Sequence, residues 1–194
     1  MAELSSLCVY CGSRAGADPS FLALAGELGR RLARERVRLV FGGGRIGLMG
    51  ALADAVMAAG GTAIGVIPEH LSRIEIAHAG LTEIHVVDSM HARKQKMFEL
   101  ADAFAVLPGG LGTLDETIEV LTWRQLGLHD KPIVVLDHRG YWRPLEALIR
   151  HTVAHGFAGA ETTGLYAVAA TIDDLFATLA ATPPASLDTP AERL

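Results

Sequence analysis

The chain has 194 residues, half of them hydrophobic, with a formal net charge of −5. That length fits one domain with a sizeable core, and the charge pattern lacks the basic stripe that neutralises a nucleic-acid backbone, so nucleic acid is excluded as an expected partner. No apolar run approaches the ~20 residues needed to span a bilayer, and "MAELSSLCVYCGS" opens with an acid where a signal peptide has its basic region. No membrane association and a cytoplasmic location are the expectations.

In chain order, "SLCVY" is the first strand, and it runs into "CGSRAG", a turn whose Ser13 and Arg14 are placed to reach a crevice beyond the strand end. Cys8 and Cys11 form a C-x-x-C, but inside a strand-like run rather than at a helix start, where that motif lowers a thiolate pKa. Ordinary buried or loop thiols are expected.

A helix over 19–36 leads to the strand "VRLVF", the turn "GGGRIGLMG" and a helix over 47–59. Gly42, Gly44 and Gly47 match G-x-G-x-x-G between strand and helix, the arrangement that brings backbone N–H groups close to a phosphate. Glu69 stands roughly 20 residues on, where a dinucleotide site has its ribose-binding acid. Alone, this pattern admits a nicotinamide cofactor, and equally a tight turn with no ligand.

"TAIGVI" is a third strand; from 69 to 82 the periodicity weakens and a mobile loop is expected. After "IHVV" comes a helix over 90–101, where ~100° per residue puts Met90, Met97 and Ala101 on the core stripe together with Arg93 and Lys94. A cation on that stripe has to snorkel to the edge or pair with an anion. The edge it would reach is the ligand-binding edge, and guanidinium suits phosphate or carboxylate.

The strand "AFAVL" ends in "PGGLGT", and a helix over 113–126 follows. Thr113 can serve as N-cap and as hydroxyl donor to an anion, and with Glu116 three residues on it also reads as a structural capping box. Two phosphate-ready turns in one small sheet suggest a nucleotide lying across the strand ends. The same helix has two apolar stripes, Leu114, Ile118, Leu121 and, roughly opposite, Val120, Trp123, Leu126; the second is expected to meet a partner subunit.

"PIVVL" and helices over 142–155 and 172–181 complete the pattern, and the Pro-rich tail 182–194 is expected to be disordered. His151 and His155 lie i, i+4 with no HExxH acid, so surface histidines and no metal are expected. Near-continuous apolar strands alternating with helices demand a parallel sheet covered on both faces: a single-domain, doubly wound α/β fold over 1–181. Ligands then bind outside the carboxyl ends of the strands.

Taken together, "PGGLGTLDE", "GGGRIGLMG", "MHARK", "VYCGS" and "WRQLGLHDKP" resemble the Lonely Guy (LOG) family of cytokinin riboside 5′-monophosphate phosphoribohydrolases, from about Ser6 to Phe157. The resemblance implies a Rossmann-like fold, a homodimer with the Trp123 helix at its interface, no cofactor, and hydrolysis of the N-glycosidic bond of a purine nucleoside 5′-monophosphate. Either an N6-substituted AMP or AMP itself would be the substrate. By motif, Arg93 and Glu116 would be the catalytic pair, and Gly109, Gly110, Gly112 and Thr113 would bind phosphate. Ser13, Gly43, Gly44, Glu69, Met90 and Lys94 complete the expected substrate site. Competing readings are a dehydrogenase, a nucleotide-binding module without turnover, and a lysine decarboxylase. The last lacks a lysine in a recognisable pyridoxal-phosphate context.

Overall fold

The computed structural model describes residues 4–72, 78 and 80–182. The expected tail lies outside these residues except for Thr182. Seven parallel strands, β1 (Ser6–Tyr10), β2 (Arg38–Phe41), β3 (Ala63–Pro68), β4 (Glu83–Val87), β5 (Ala103–Val106), β6 (Ile133–Leu136) and β7 (Ala167–Ala169), form one sheet in the order β4-β3-β2-β1-β5-β6-β7. β7 escapes the periodicity because three residues carry too little pattern.

The chain winds outward from β1 to β4, then crosses back and winds the other way from β5. Side-chain alternation in β1 shows why both faces must be covered. Leu7 and Val9 pack with α1 (Ser20–Arg34), α2 (Gly47–Ala58) and α7 (Ile172–Ala181); Cys8 and Tyr10 pack with α4 (Met90–Glu99), α5 (Leu111–Gln125) and α6 (Arg143–Ala154). The reversal of winding leaves a crevice between the carboxyl ends of β1 and β5, where doubly wound sheets bind ligands.

Three expectations need correction. The stretch read as a loop from Glu69 begins as a short helix, α3 (Glu69–Ser72), and most of the remainder up to 79 lies outside the described residues. α5 starts at Leu111 with Gly110 as N-cap, so Thr113 sits inside the first turn and caps nothing, and no capping box with Glu116 forms. Its two stripes also divide differently: Val120 and Trp123 are buried within the subunit against Phe98, while Leu111, Ile118 and Leu126 stay exposed. Periodicity shows that a helix has two apolar faces but not which one meets its own sheet.

The turn from α5 into β6 is held by His129, which is buried. Its Nδ1 accepts from the Lys131 N–H at 3.1 Å, so Nε2 carries the proton and donates to the Val120 carbonyl at 2.9 Å. Its ring meets Phe98 edge-on. Burial holds its pKa down at about 4, with Arg124 and Lys131 adding to the effect against the Val120 hydrogen bond. The unfolded chain therefore takes up a proton near pH 6.5 that the native chain refuses until about 4. Stability from this group is complete above pH 6.5 and is lost as pH falls toward 4. A pH series of urea melts is expected to show His129→Gln with a shallower acid decline than wild type, by about 3 kcal/mol across that window; parallel declines would contradict it.

Candidate active site

A cavity of about 590 Å³ opens where β1 and β5 end, within the range of small-molecule sites. Residues 11–16 and 108–113 line it, with Phe21, Leu48, Met49, Arg93, Glu116 and Tyr141. Gly12 N–H donates to the Pro108 carbonyl at 3.0 Å and joins the two strand ends across the crevice.

The two glycine turns differ at this edge. The N–H groups of Leu48 and Met49, in the first turn of α2, both point at the Gly12 carbonyl, at 3.0 and 3.4 Å. Gly47, at φ +65, lies so close to the Ser13 and Arg14 backbone that a Cβ would clash there. This turn therefore fastens the β1 loop to α2, and two of its helix-end donors are already used. In α5, by contrast, the N–H groups of Leu111, Gly112 and Thr113 have no acceptor among the described residues, and all three residues face the cavity. Free helix-start donors with the positive end of the helix dipole are suited to an anion.

Glu116 follows one turn later on α5, with its carboxyl at the cavity wall and no hydrogen bond among the described residues. Burial pushes its pKa up to about 7; Arg93 and Lys94 oppose this, and Asp115 and Glu119 reinforce it. Removal from water outweighs the guanidinium of Arg93 in setting this ionisation.

Arg93 is buried, yet it does not snorkel and forms no ion pair among the described residues. Its Nε donates to the Val66 carbonyl at 3.1 Å and Nη2 to the Gly42 carbonyl at 2.9 Å, while Nη1 lies 3.8 Å from the Met90 sulfur. Carbonyls at the ends of β2 and β3 thus take the part assigned to an anion. A Cβ at Gly42 would run into the Arg93 guanidinium and displace it from this position.

Of the other sequence-derived candidates, Ser13, Gly109, Gly110, Gly112 and Thr113 line the cavity and Gly43, Gly44, Glu69, Met90 and Lys94 do not. Gly43, at φ +73, gives its carbonyl to the His78 N–H. Gly44 is buried beside it, and Glu69 is exposed at the start of α3. Lys94 bridges α4 to α5 by pairing with Asp115 at 3.2 Å and Glu119 at 3.0 Å. Phe21, Met49 and Tyr141 were missed; Tyr141, five residues beyond β6, was open to the strand-end rule.

The thiols of Cys8 and Cys11 are buried on opposite faces of the sheet, and burial, with Glu116 next, pushes both pKa values up. That is the reverse of a redox-active pair. No described helix is long and apolar enough to cross a membrane, and no three metal-binding side chains group together among the described residues. His151 on the outer face of α6 and His155 just past its end lie ring to ring at the surface.

Fold and site define a doubly wound α/β protein with one helix start whose first amides are free and a carboxyl beside it at the switch point of the sheet. Residues 49–179 match a family model described as possible lysine decarboxylase. The chain is 53% identical over 153 residues, 78% of its length and 77% of the relative's, to the cytokinin riboside 5′-monophosphate phosphoribohydrolase of Rhodococcoides fascians. It is 43% identical over 169 residues, 87% of its length and 70% of the relative's, to the enzyme of that name, LOG, from Oryza sativa subsp. japonica. The chain belongs to this LOG family. Among solved structures, a molybdenum cofactor binding protein from Rippkaea orientalis superposes with a TM-score of 0.70 at 20% identity, covering 93% of this chain and 98% of that one. The molybdenum cofactor carrier protein of Chlamydomonas reinhardtii gives 0.69 at 23% identity, covering 91% and 96%. Both likenesses concern the fold alone.

Proposed function

We propose that the protein hydrolyses the N-glycosidic bond of cytokinin riboside 5′-monophosphates, an N6-substituted AMP or AMP itself, to the free base and ribose 5-phosphate. One observation carries the reading: a single helix presents free amides at 111–113 and the cavity carboxyl at 116. A rise of ~1.5 Å per residue separates them by roughly 5–7 Å, which suits a nucleotide whose 5′-phosphate rests on the helix start with C1′ beside the carboxylate.

Breaking the C1′–N9 bond leaves its electron pair on the base and positive charge on the sugar. Ionised Glu116 stabilises that charge more in the transition state than in the ground state and accepts a proton from the attacking water, whose oxygen bonds to C1′; the departing base takes up a proton from solvent to become the free base, and Glu116 gives its own back to solvent. Gly109, Gly110, Gly112 and Thr113 hold the phosphate, with Ser13 at the same wall, and this placement positions the sugar. Arg93 stabilises the ionised carboxyl and fixes the floor of the site; Met90 supports it. Gly43, Gly44 and Glu69 lie outside the cavity beyond the ends of β2 and β3, and Lys94 ties α4 to α5 through Asp115 and Glu119. We also propose a homodimer through α5, supported by exposed Leu111, Ile118 and Leu126.

A decarboxylase using pyridoxal phosphate is disfavoured by the lysines themselves. Lys94 is paired with two carboxylates, Lys96 with Glu99, and Lys131 donates to the Phe98 carbonyl, and none lines the cavity. The dehydrogenase reading loses its basis because the G-x-G-x-x-G helix start is already occupied by Gly12. The test is incubation with AMP and, separately, isopentenyladenosine 5′-monophosphate, followed by chromatography of the released base. Release from either supports hydrolysis and the rate ratio defines the substrate; binding with no release from either would leave a nucleotide-binding module.

A further inference from the structure

The loop that follows β6 reaches back to the phosphate turn. It makes a 3-10 turn at His138–Gly140 before α6, and it is pinned to the start of α1, with His138 Nε2 3.0 Å from the Ser20 hydroxyl and Arg139 donating to Asp18 at 2.7 Å. Next in the chain, Tyr141 stands edge-on to Phe21, centroids 5.5 Å apart, and to Trp142 at 4.9 Å. Its ring is thereby fixed from two sides at the cavity wall. Its hydroxyl donates to the Gly109 carbonyl at 2.6 Å.

That carbonyl belongs to the peptide that enters α5. All described peptides are trans, so the Gly110 N–H points opposite to the Gly109 carbonyl, and holding one holds the other. The remaining sides of Gly109 are closed as well. A Cβ there would collide with the Thr113 side chain, and a Cβ on Gly12 would come within 3.3 Å of the Gly109 Cα. Tyr141 is the one side-chain hydrogen bond on this peptide among the described residues.

We propose that Tyr141 is a positioning residue for the substrate's phosphate: its hydroxyl holds the Gly109–Gly110 peptide in the orientation that presents the α5 amides to the anion. This rests on the phosphate placement proposed above. Tyr141 touches the turn and not the reacting atoms, so its effect falls on phosphate binding and not on bond cleavage.

The test is Tyr141→Phe, which keeps the ring contacts and removes only the hydroxyl. A neutral hydrogen bond of this kind predicts that KM for AMP rises about three- to tenfold with kcat within about twofold of wild type. Inhibition by inorganic phosphate is expected to weaken by the same factor, with an unchanged melting temperature. Unchanged KM and phosphate inhibition, or a loss confined to kcat, would overturn the assignment. If the wild-type protein hydrolyses no nucleotide, calorimetric titration with inorganic phosphate decides separately. Weaker phosphate binding by the variant then keeps the positioning role and removes the hydrolase reading; equal binding, or none by wild type, ends the proposal.

Discussion

Glu116→Gln is expected to bind AMP about as tightly as wild type and to release base roughly 10³-fold more slowly, the scale of losing one preorganised electrostatic contact to a transition state. The amide keeps the shape of the carboxyl but can neither stabilise the cationic sugar nor accept a proton. Wild-type kcat/KM is expected to rise with pH through about 7, where burial places the ionisation of Glu116, and to fall about tenfold per pH step below it. A flat profile between pH 5 and 8, or an active Gln variant, would remove Glu116 from the chemistry.

The same shift has a cost in stability whose sign is opposite to that of His129. The native carboxyl ionises near 7 and the unfolded one near 4.5, so between these values the native state binds more protons. Stability therefore decreases as pH rises from 4.5 to 7 and stays reduced above. Glu116→Gln removes that decrease and is expected to be the more stable protein at pH 8, by about 3 kcal/mol, while being the inactive one. Denaturant melts of both proteins at pH 5 and pH 8 check this, because the gap should be several-fold larger at the higher pH.

Arg93→Ala is expected to lower turnover at least 100-fold and to destabilise the fold by about 3 kcal/mol. Two strand-end carbonyls, on Val66 and Gly42, lose their donor in a buried place, and the favourable influence of the guanidinium on Glu116 disappears. The acidic limb of the pH profile should consequently move to higher pH in the variant. Arg93→Lys keeps the charge but not the two-pronged donation, so it should retain the limb near its wild-type position while losing stability. A variant lacking Arg93 with an unmoved limb would confine the residue to structure.

Much of the site was legible before any coordinates. "PGGLGTLDE" after an apolar strand announced a phosphate-ready helix start and a carboxyl in its first turn, because turn chemistry and the 3.6-residue period are properties of adjacent residues. Arg93 was singled out for the same kind of reason, being a cation on a helix face that had to be buried. Its partners were misread, since strand-end carbonyls from Gly42 and Val66 carry no mark in a sequence. Phe21 and Tyr141, 120 residues apart, become cavity walls only when the α1 start and the β6 loop meet.

By itself, then, the sequence determined the doubly wound sheet, the two glycine turns and the candidates Arg93 and Glu116, all encoded in local hydrophobic period, glycine placement and charge. Tertiary structure alone decided which turn keeps its amides free, since the Gly12 carbonyl occupies those of α2. It also decided that Trp123 faces the subunit's own core, and that Glu116 ionises near neutrality. Each of these depends on atoms brought from distant parts of the chain, and desolvation and hydrogen-bond occupancy exist only once those atoms have met.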